Sequence, residues 1–128
     1  MKKSLIIILG LIVLVSSCTS GDFDLNPKYP TELINSWVES YEEDYGVFRP
    51  SDYKTFPESH YRQYYKFMEN NKCEYLVLSP VDAHYIENGF WEFIEDINSI
   101  HIYNQNKELH RTLKVVSISS NHFQVRHY

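Results

Sequence analysis

The chain has 128 residues, 43% of them hydrophobic, and a formal net charge of −5, which is enough for one domain around a single core. The acidic balance argues against a nucleic-acid partner, because binding to phosphates requires a basic surface. The glycines are scattered along the chain, so the sequence contains neither a P-loop nor a dinucleotide-binding fingerprint.

The first elements in chain order form a secretion signal. Lys2 and Lys3 precede the aliphatic run Leu5–Val15, which ends at Ser16-Ser17-Cys18. This pattern is typical of a signal peptide, and the run is too short for a transmembrane helix, which needs about 20 residues. The residues before Cys18 resemble the bacterial lipobox, and this resemblance implies that Cys18 becomes the diacylated N-terminus after cleavage. An ordinary signal peptide with an accidental cysteine is the alternative.

We therefore predict a signal peptide over residues 1–17, a lipid anchor with a flexible tether over 18–30, and a folded domain over 31–128. The tether carries turn formers and Pro27 and Pro30 but no periodicity. Cleavage reduces the 12 basic residues to 10 and keeps the 17 acidic ones, so the mature charge is −7. The expected location is the cell envelope, on a membrane facing the periplasm or the cell surface. With Cys18 lipidated, Cys73 has no intrachain partner and is expected to be a buried, unreactive thiol; a disulfide between Cys18 and Cys73 is the alternative.

The start of the domain has two interpretations. Leu33, Ile34, Trp37, Val38 and Tyr41 fit a helical stripe that starts at Thr31, whereas period two also fits a strand. We favour a helical turn from Thr31 followed by a strand from 36 to 43. The segment 46–60 is then the longest irregular region, and such loops often carry binding residues.

The rest of the domain is predicted to be antiparallel β-structure. Aromatic residues make up 16% of the chain and favour half-buried strands. Expected strands cover 61–69, 73–79, 90–95, 99–103, 109–118 and 122–127, separated by turns at 70–72, 96–98, 104–107 and 119–121. Asn88-Gly89 is the best hairpin signal, since both residues tolerate the positive φ of a type I′ turn.

Several short motifs resemble small bacterial lipocalin-like lipoproteins. Leu33-x-Asn35-x-Trp37 is similar to the Leu-x-Gly-x-Trp opening of that family, with asparagine in place of glycine. Gly89-Phe90-Trp91 followed by Ile100-His101-Ile102 is similar to its middle strands. The resemblance implies an all-β fold, an antiparallel up-and-down barrel of about eight strands that closes its first strand against its last.

The sequence offers no catalytic motif. The six histidines show no metal-ligand spacing, and Asp82-Ala-His84 fits a turn after Pro80 better than one edge of a metal site. The acidic residues lie at strand ends and on outward faces, where solvation explains them, and no nucleophile elbow is present. We predict no enzymatic activity, no metal and no cofactor.

The aromatic residues are the candidate site. On period-two spacing, large rings share inward strand faces, and the candidate ligand pocket consists of Trp37, Tyr61, Tyr65, Phe67, Trp91 and Phe93. These rings either fill a narrow barrel or line a pocket for a small or apolar ligand, and the small lumen of eight short strands favours filling. The expected function is a non-catalytic binding module of the envelope; a structural or protein-interaction lipoprotein is the alternative, and a small envelope enzyme is a distant one.

Overall fold

The computed structural model describes residues 28–81 and 83–127. Within these residues the chain forms eight strands that close into one antiparallel barrel, which confirms the predicted all-β antiparallel barrel of about eight strands. The strands are β1 (Ser36–Glu39), β2 (Val47–Pro50), β3 (Tyr64–Phe67), β4 (Lys72–Leu78), β5 (His84–Ile94), β6 (Ser99–Tyr103), β7 (Leu109–Ile118) and β8 (Phe123–His127). Short 3₁₀ helices cover Thr31–Leu33, Glu69–Asn71 and Glu95–Ile97.

The strand order departs from a simple up-and-down arrangement at the first hairpin. Strands β3 to β8 form a meander in which each strand pairs with the next, but β1 pairs with β3 and β2 pairs with β8. The expectation that the first strand would close against the last is therefore wrong. The second strand closes the barrel instead, by pairing with β8. The β1–β2 hairpin is therefore turned around relative to an up-and-down barrel, in which β2 would pair with β3 and β1 with β8.

This reversal gives residues 51–63 a structural task. Because β2 and β3 both pair with β1, their connection must run from one end of the barrel back to the other across β1. Its start is fixed by the Ser51 amide, which donates to the Ser36 carbonyl at 2.9 Å. The interpretation of 46–60 as wholly irregular is wrong at Val47–Pro50, which is β2.

Asparagines stop three strands where the sequence predicts turns. Asn70, Asn71 and Asn98 all have positive φ, which asparagine tolerates better than most residues. The β6–β7 turn is held by Asn104, whose Oδ1 accepts from the amides of Asn106 and Glu108 at 3.0 Å each. The turn before His84 also forms, with the Ala83 amide donating to Ser79 Oγ at 3.1 Å.

The predicted hairpin turn at Asn88-Gly89 is wrong. Both residues lie inside β5 and pair with Glu74 and Cys73 of β4, and the φ of Gly89 is not positive. Gly89 faces the barrel interior, where a Cβ would lie 2.1 Å from the Tyr103 carbonyl oxygen. The glycine thus serves close packing inside a strand and not a turn.

Gly46 lies at the seam where the barrel closes. Its φ is +71°, and an added Cβ would lie 2.0 Å from the Val125 carbonyl oxygen. The carbonyl of Gly46 accepts from the Val125 amide at 2.9 Å, which extends the short ladder that pairs Phe48 with Phe123. A side chain at Gly46 would therefore strain the turn and push the β1–β2 hairpin away from β8.

Large rings fill the barrel from the end where the N-terminal 3₁₀ helix packs. Leu33 is fully buried there, and its carbonyl accepts from Trp37 Nε1 at 3.1 Å. Trp91 Nε1 donates to the Met68 carbonyl at 2.9 Å, so both indole N–H groups are satisfied, as burial requires. The fully buried large side chains are Trp37, Trp91, Tyr65, Tyr75, Phe48, Phe67, Phe123, Leu33, Ile100, Ile102, Leu113 and Val125.

Replacement of Trp91 by alanine tests whether the rings are core or cavity lining. Trp91 is 1% exposed, and its ring lies 5.0 Å from that of Phe67 and 4.8 Å from that of Tyr29. We expect Trp91→Ala to lower the free energy of unfolding by about 3 to 5 kcal/mol, because it removes buried area and leaves a cavity. Chemical denaturation measures this loss, and Tyr45→Ala, which removes a ring that is 67% exposed, is the control. A loss below about 1 kcal/mol would contradict a packed core.

Candidate functional site

The six residues predicted as a ligand pocket do not form one cavity. Trp37, Tyr65, Phe67 and Trp91 are packed into the core. Phe93 lies partly buried at the end near the N-terminal 3₁₀ helix, beside a shallow depression lined by Tyr29 and Glu95. Tyr61 stands at the opposite end of the barrel, which we call the mouth.

The mouth contains a polar pocket of about 340 Å³. It lies where β1 and β8 end and β3 begins, next to the connection 51–63. Inward-facing positions of these strands, beyond the last layer of core rings, supply most of its walls. The residues that line it are Glu39, Tyr45, Tyr61, Gln63, Arg111 and His127.

Arg111 is the main charged group of the mouth pocket. Its place on β7 opposite Ile102, a core residue, turns its side chain toward the barrel interior, where Nη1 donates to the Tyr65 hydroxyl at 3.1 Å. Burial opposes the charged form, but Tyr65, Tyr61 and Glu39 raise the pKa of Arg111 above its ordinary value. The guanidinium is therefore a permanent cation inside the barrel rim.

Glu39 balances that charge at the opposite wall. Its Oε2 accepts from the Gln63 amide at 3.0 Å, so part of the carboxylate is used to hold the start of β3. Among the residues that the structure describes, no carboxylate lies within 4.0 Å of the Arg111 guanidinium. The two charges thus share one pocket without forming a direct ion pair.

Tyrosine and histidine side chains make up the rest of the wall. Tyr61 donates a short hydrogen bond to Gln63 Oε1, and burial raises the pKa of Tyr61. Burial and the nearby Arg111 lower the pKa of His127, so its imidazole is neutral at neutral pH. His127 Nδ1 is buried and has no hydrogen-bond partner within the described part of the chain, and a buried polar atom of this kind requires an explanation.

The mouth lies beside a network of ion pairs that fixes the connection 51–63. Arg62 bridges the Glu39 carbonyl and Glu42 at 2.7 Å each, and Lys54 binds Ser40 Oγ at 2.8 Å. The Nε–H of Arg49 is shared between the two oxygens of the Glu43 carboxylate, and Nη2 donates a second hydrogen bond to Oε1. These contacts tie the β1–β2 turn to the connection that passes over it, and so hold one wall of the pocket in place.

Sequence reasoning missed most of the mouth residues. Glu39 and Arg111 were attributed to solvated faces or not singled out, because a charged residue in a strand is usually outward. A signal was nevertheless present. Arg111 is two residues before Leu113, a core residue, so period two places the two side chains on one face.

The remaining candidates do not form a site. Cys73 is 1% exposed, so its expected burial is confirmed, and burial raises the pKa of its thiol to about 12, which disfavours the reactive thiolate. His101 is half-buried, and its Nδ1 lies 3.3 Å from the Tyr103 hydroxyl on the outer face. No cluster of three or more His, Cys, Asp or Glu side chains suited to a metal is found in residues 28–81 and 83–127; Asp82 lies outside the described residues.

Larger depressions exist on the surface, but they lack an inward-facing charge. One of about 450 Å³ lies over Met68, Gly89 and Phe90. Another, of about 470 Å³, runs along Ile34, Lys66 and Glu69 and opens widely to solvent. The mouth pocket is smaller, but it brings the charged groups of Arg111 and Glu39 together with the rings of Tyr45 and Tyr61, and convergent polar groups beside aromatic rings are a feature of ligand sites.

Comparison of the chain with protein-family models, with curated proteins and with solved structures finds no match. No helix in the described part of the chain is long and apolar enough to cross a bilayer. The class of protein is defined by its architecture, an eight-stranded closed antiparallel barrel that is lipocalin-like in strand number and closure but differs in the pairing of its first hairpin.

The ion-pair network predicts a loss of stability in acid. Burial opposes ionisation of Glu42, but hydrogen bonds from Arg62 and Lys54 lower its pKa from 4.5 to about 2. Hydrogen bonds from Arg49 and Ser40 lower the pKa of Glu43 to about 2 as well. Because both folded-state values lie below the unfolded value, the stabilisation is complete above pH 4.5 and is lost as the pH falls toward 2.

We expect a double variant, Glu42→Gln with Glu43→Gln, to be less stable than the wild type at neutral pH by about 1 kcal/mol or less for each carboxylate, the scale of solvent-exposed ion pairs. The difference should shrink between pH 4.5 and 2. Urea denaturation across this range measures the difference, with Glu58→Gln on the neighbouring connection 51–63 as the control. An equal gap between the two proteins at all pH values would contradict the assigned ionisation.

Proposed function

We propose that this protein is a lipid-anchored envelope lipoprotein whose lipocalin-like barrel is a non-catalytic module that binds a small ligand at its mouth. The observation that carries the proposal is the contrast between the two parts of the barrel interior. The inner part is closed by packed rings, whereas the mouth retains a pocket of about 340 Å³ lined by polar and aromatic groups.

The packing of the core restricts the positions at which a ligand could fit inside the barrel. Phe67 lies 5.0 Å from Trp91, and Phe48 lies 5.4 Å from Tyr65, measured between ring centroids. Rings at these distances are in contact and leave no room for an acyl chain between them. A ligand would therefore rest on the outermost layer, where Tyr61, Tyr45 and His127 offer ring faces and polar atoms.

The anchor belongs to the same proposal, although Cys18 and the segment before it lie outside the described residues. Its support is the sequence pattern of Val15-Ser16-Ser17-Cys18 after an apolar run. The described chain starts near the ring-filled end of the barrel, since Tyr29 packs on Trp91 there. A tether leaving from this end would let the mouth face away from the membrane.

Cys18→Ser tests the anchor. We expect the variant to escape cleavage at the lipoprotein site and to leave the detergent phase in which the wild type partitions, because two acyl chains are needed for stable anchoring. Detergent phase separation of the envelope fraction measures this, and Cys73→Ser serves as the control for loss of a thiol. Unchanged partitioning of Cys18→Ser would contradict lipidation.

A ligand screen with a blocked mouth tests the binding function. Native mass spectrometry of the full chain, extracted in mild detergent, detects a molecule that co-purifies, and saturation-transfer NMR detects weak binders in a metabolite mixture. We expect His127→Trp to abolish binding, because the larger ring would occupy the pocket. Val116→Trp places the same ring on the outer face, at a side chain that is 46% exposed, and should leave binding intact.

The His127→Trp variant also shows whether a ligand binds at the mouth or elsewhere. Binding that survives His127→Trp would locate the ligand elsewhere in the protein, and the absence of any binder would favour the protein-interaction function. That alternative has its own observation. The tip of the β4–β5 hairpin carries apolar side chains that are nearly half exposed or more, namely Leu78, Val81, Tyr85 and Ile86.

A further inference from the structure

The unpaired guanidinium at the mouth allows the ligand to be described more closely. We propose that the mouth pocket binds a small organic monocarboxylate, with Arg111 holding the carboxylate group. The inference rests on the proposed function, since it names the class of ligand for the same pocket. Its basis is that most N–H groups of Arg111 have no hydrogen-bond partner among the described residues.

Arg111 is only partly satisfied by the protein. A guanidinium carries five N–H donors, and in the described chain the Tyr65 hydroxyl is its hydrogen-bond partner. Arg111 is half-buried, and a cation that is partly withdrawn from water gains from a partner of opposite charge. Arg111 lines the pocket, where a planar carboxylate can accept two of the remaining N–H groups in the paired geometry that arginine favours.

The neighbouring groups restrict the charge of the ligand. Glu39 already places a negative charge on the opposite wall, and the low pKa of His127 keeps the imidazole neutral. A monoanion would replace the missing partner of Arg111 and leave the pocket with one net negative charge. A phosphate dianion would leave two, at close range to Glu39, so the pocket disfavours it.

The remaining walls suit a short body with an apolar or aromatic surface. Tyr45 and His127 form an edge-to-face pair with ring centroids 6.3 Å apart, and Tyr61 stands across the pocket from them. His127 Nδ1 adds a buried polar atom that a hydroxyl or amide of the ligand could reach. A volume of about 340 Å³ is at the lower end for ligand pockets, so long acyl chains are excluded.

The experiment compares carboxylates with their uncharged amides. The probes are benzoate, hexanoate and indole-3-acetate, each paired with its amide, together with inorganic phosphate as a second anion. Binding to the full chain in detergent is measured by isothermal titration calorimetry up to about 10 mM, above the dissociation constant of a weak specific ligand. The Nε–Hε resonance of Arg111 reports the contact directly.

We expect at least one carboxylate to bind about tenfold or more tightly than its amide and to shift the Arg111 resonance, consistent with a charge-assisted pair. Arg111→Met should abolish this preference. Arg126→Met removes an exposed arginine from the neighbouring strand β8 and should not change it. Glu39→Gln should tighten carboxylate binding, because it removes the opposing charge, and this gain does not depend on the folding of an arginine variant.

Three outcomes would overturn the inference. They are equal binding of carboxylates and amides, stronger binding of phosphate than of any carboxylate, and no binding by any carboxylate in the wild type or in Glu39→Gln. The proposed function would fail separately. If uncharged metabolites bind at the mouth and His127→Trp abolishes them, the pocket binds ligands but Arg111 does not select their charge.

Discussion

The reversed insertion of the β1–β2 hairpin is the constraint on which the rest of the structure depends. Eight short strands leave no edge only if this hairpin pairs on both sides, β1 with β3 and β2 with β8. The β2–β8 ladder is short, and it forms because Gly46 reaches a positive φ and approaches the Val125 carbonyl. Closure in turn obliges residues 51–63 to cross β1. The barrel rim, and therefore the site, is built around that crossing.

The crossing connection explains why charge collects at one end. It returns to the mouth past the outer face of the hairpin, where Arg62 and Lys54 meet the acidic turn. The same path delivers Tyr61 and Gln63 to the inner face, beside Glu39. The connection 51–63 thus separates the charged groups that form ion pairs from the charged groups of the pocket. Paired groups lie outside and hold the fold, whereas Arg111 lies inside without a carboxylate partner in the described chain.

The filled interior decides what kind of lipocalin-like barrel this is. The ring of Phe123 packs against those of Trp37 on β1 and Phe48 on β2, and eight strands give an interior that side chains can occupy completely. An apolar cavity of the depth needed for a lipid tail is therefore replaced by a core. What remains for a ligand is the last polar layer, and the chemistry of that layer comes from very few side chains.

The sequence by itself determined the elements that depend on local chemistry. The flanking turn residues placed β6 and β7 at the bounds that the structure has. Asn70, Asn71 and Asn98 end strands as predicted, whereas Asn88 lies inside β5. The burial of Cys73 followed from its place in a strand-like stretch. Only the tertiary structure decided the pairing of β2, the role of Gly89 and the convergence of Arg111 with Glu39. Their physical basis is contact between residues far apart in the chain. A glycine that tolerates a turn also tolerates a close backbone approach, and a charge in a strand is inward or outward only once the partners of that strand are fixed.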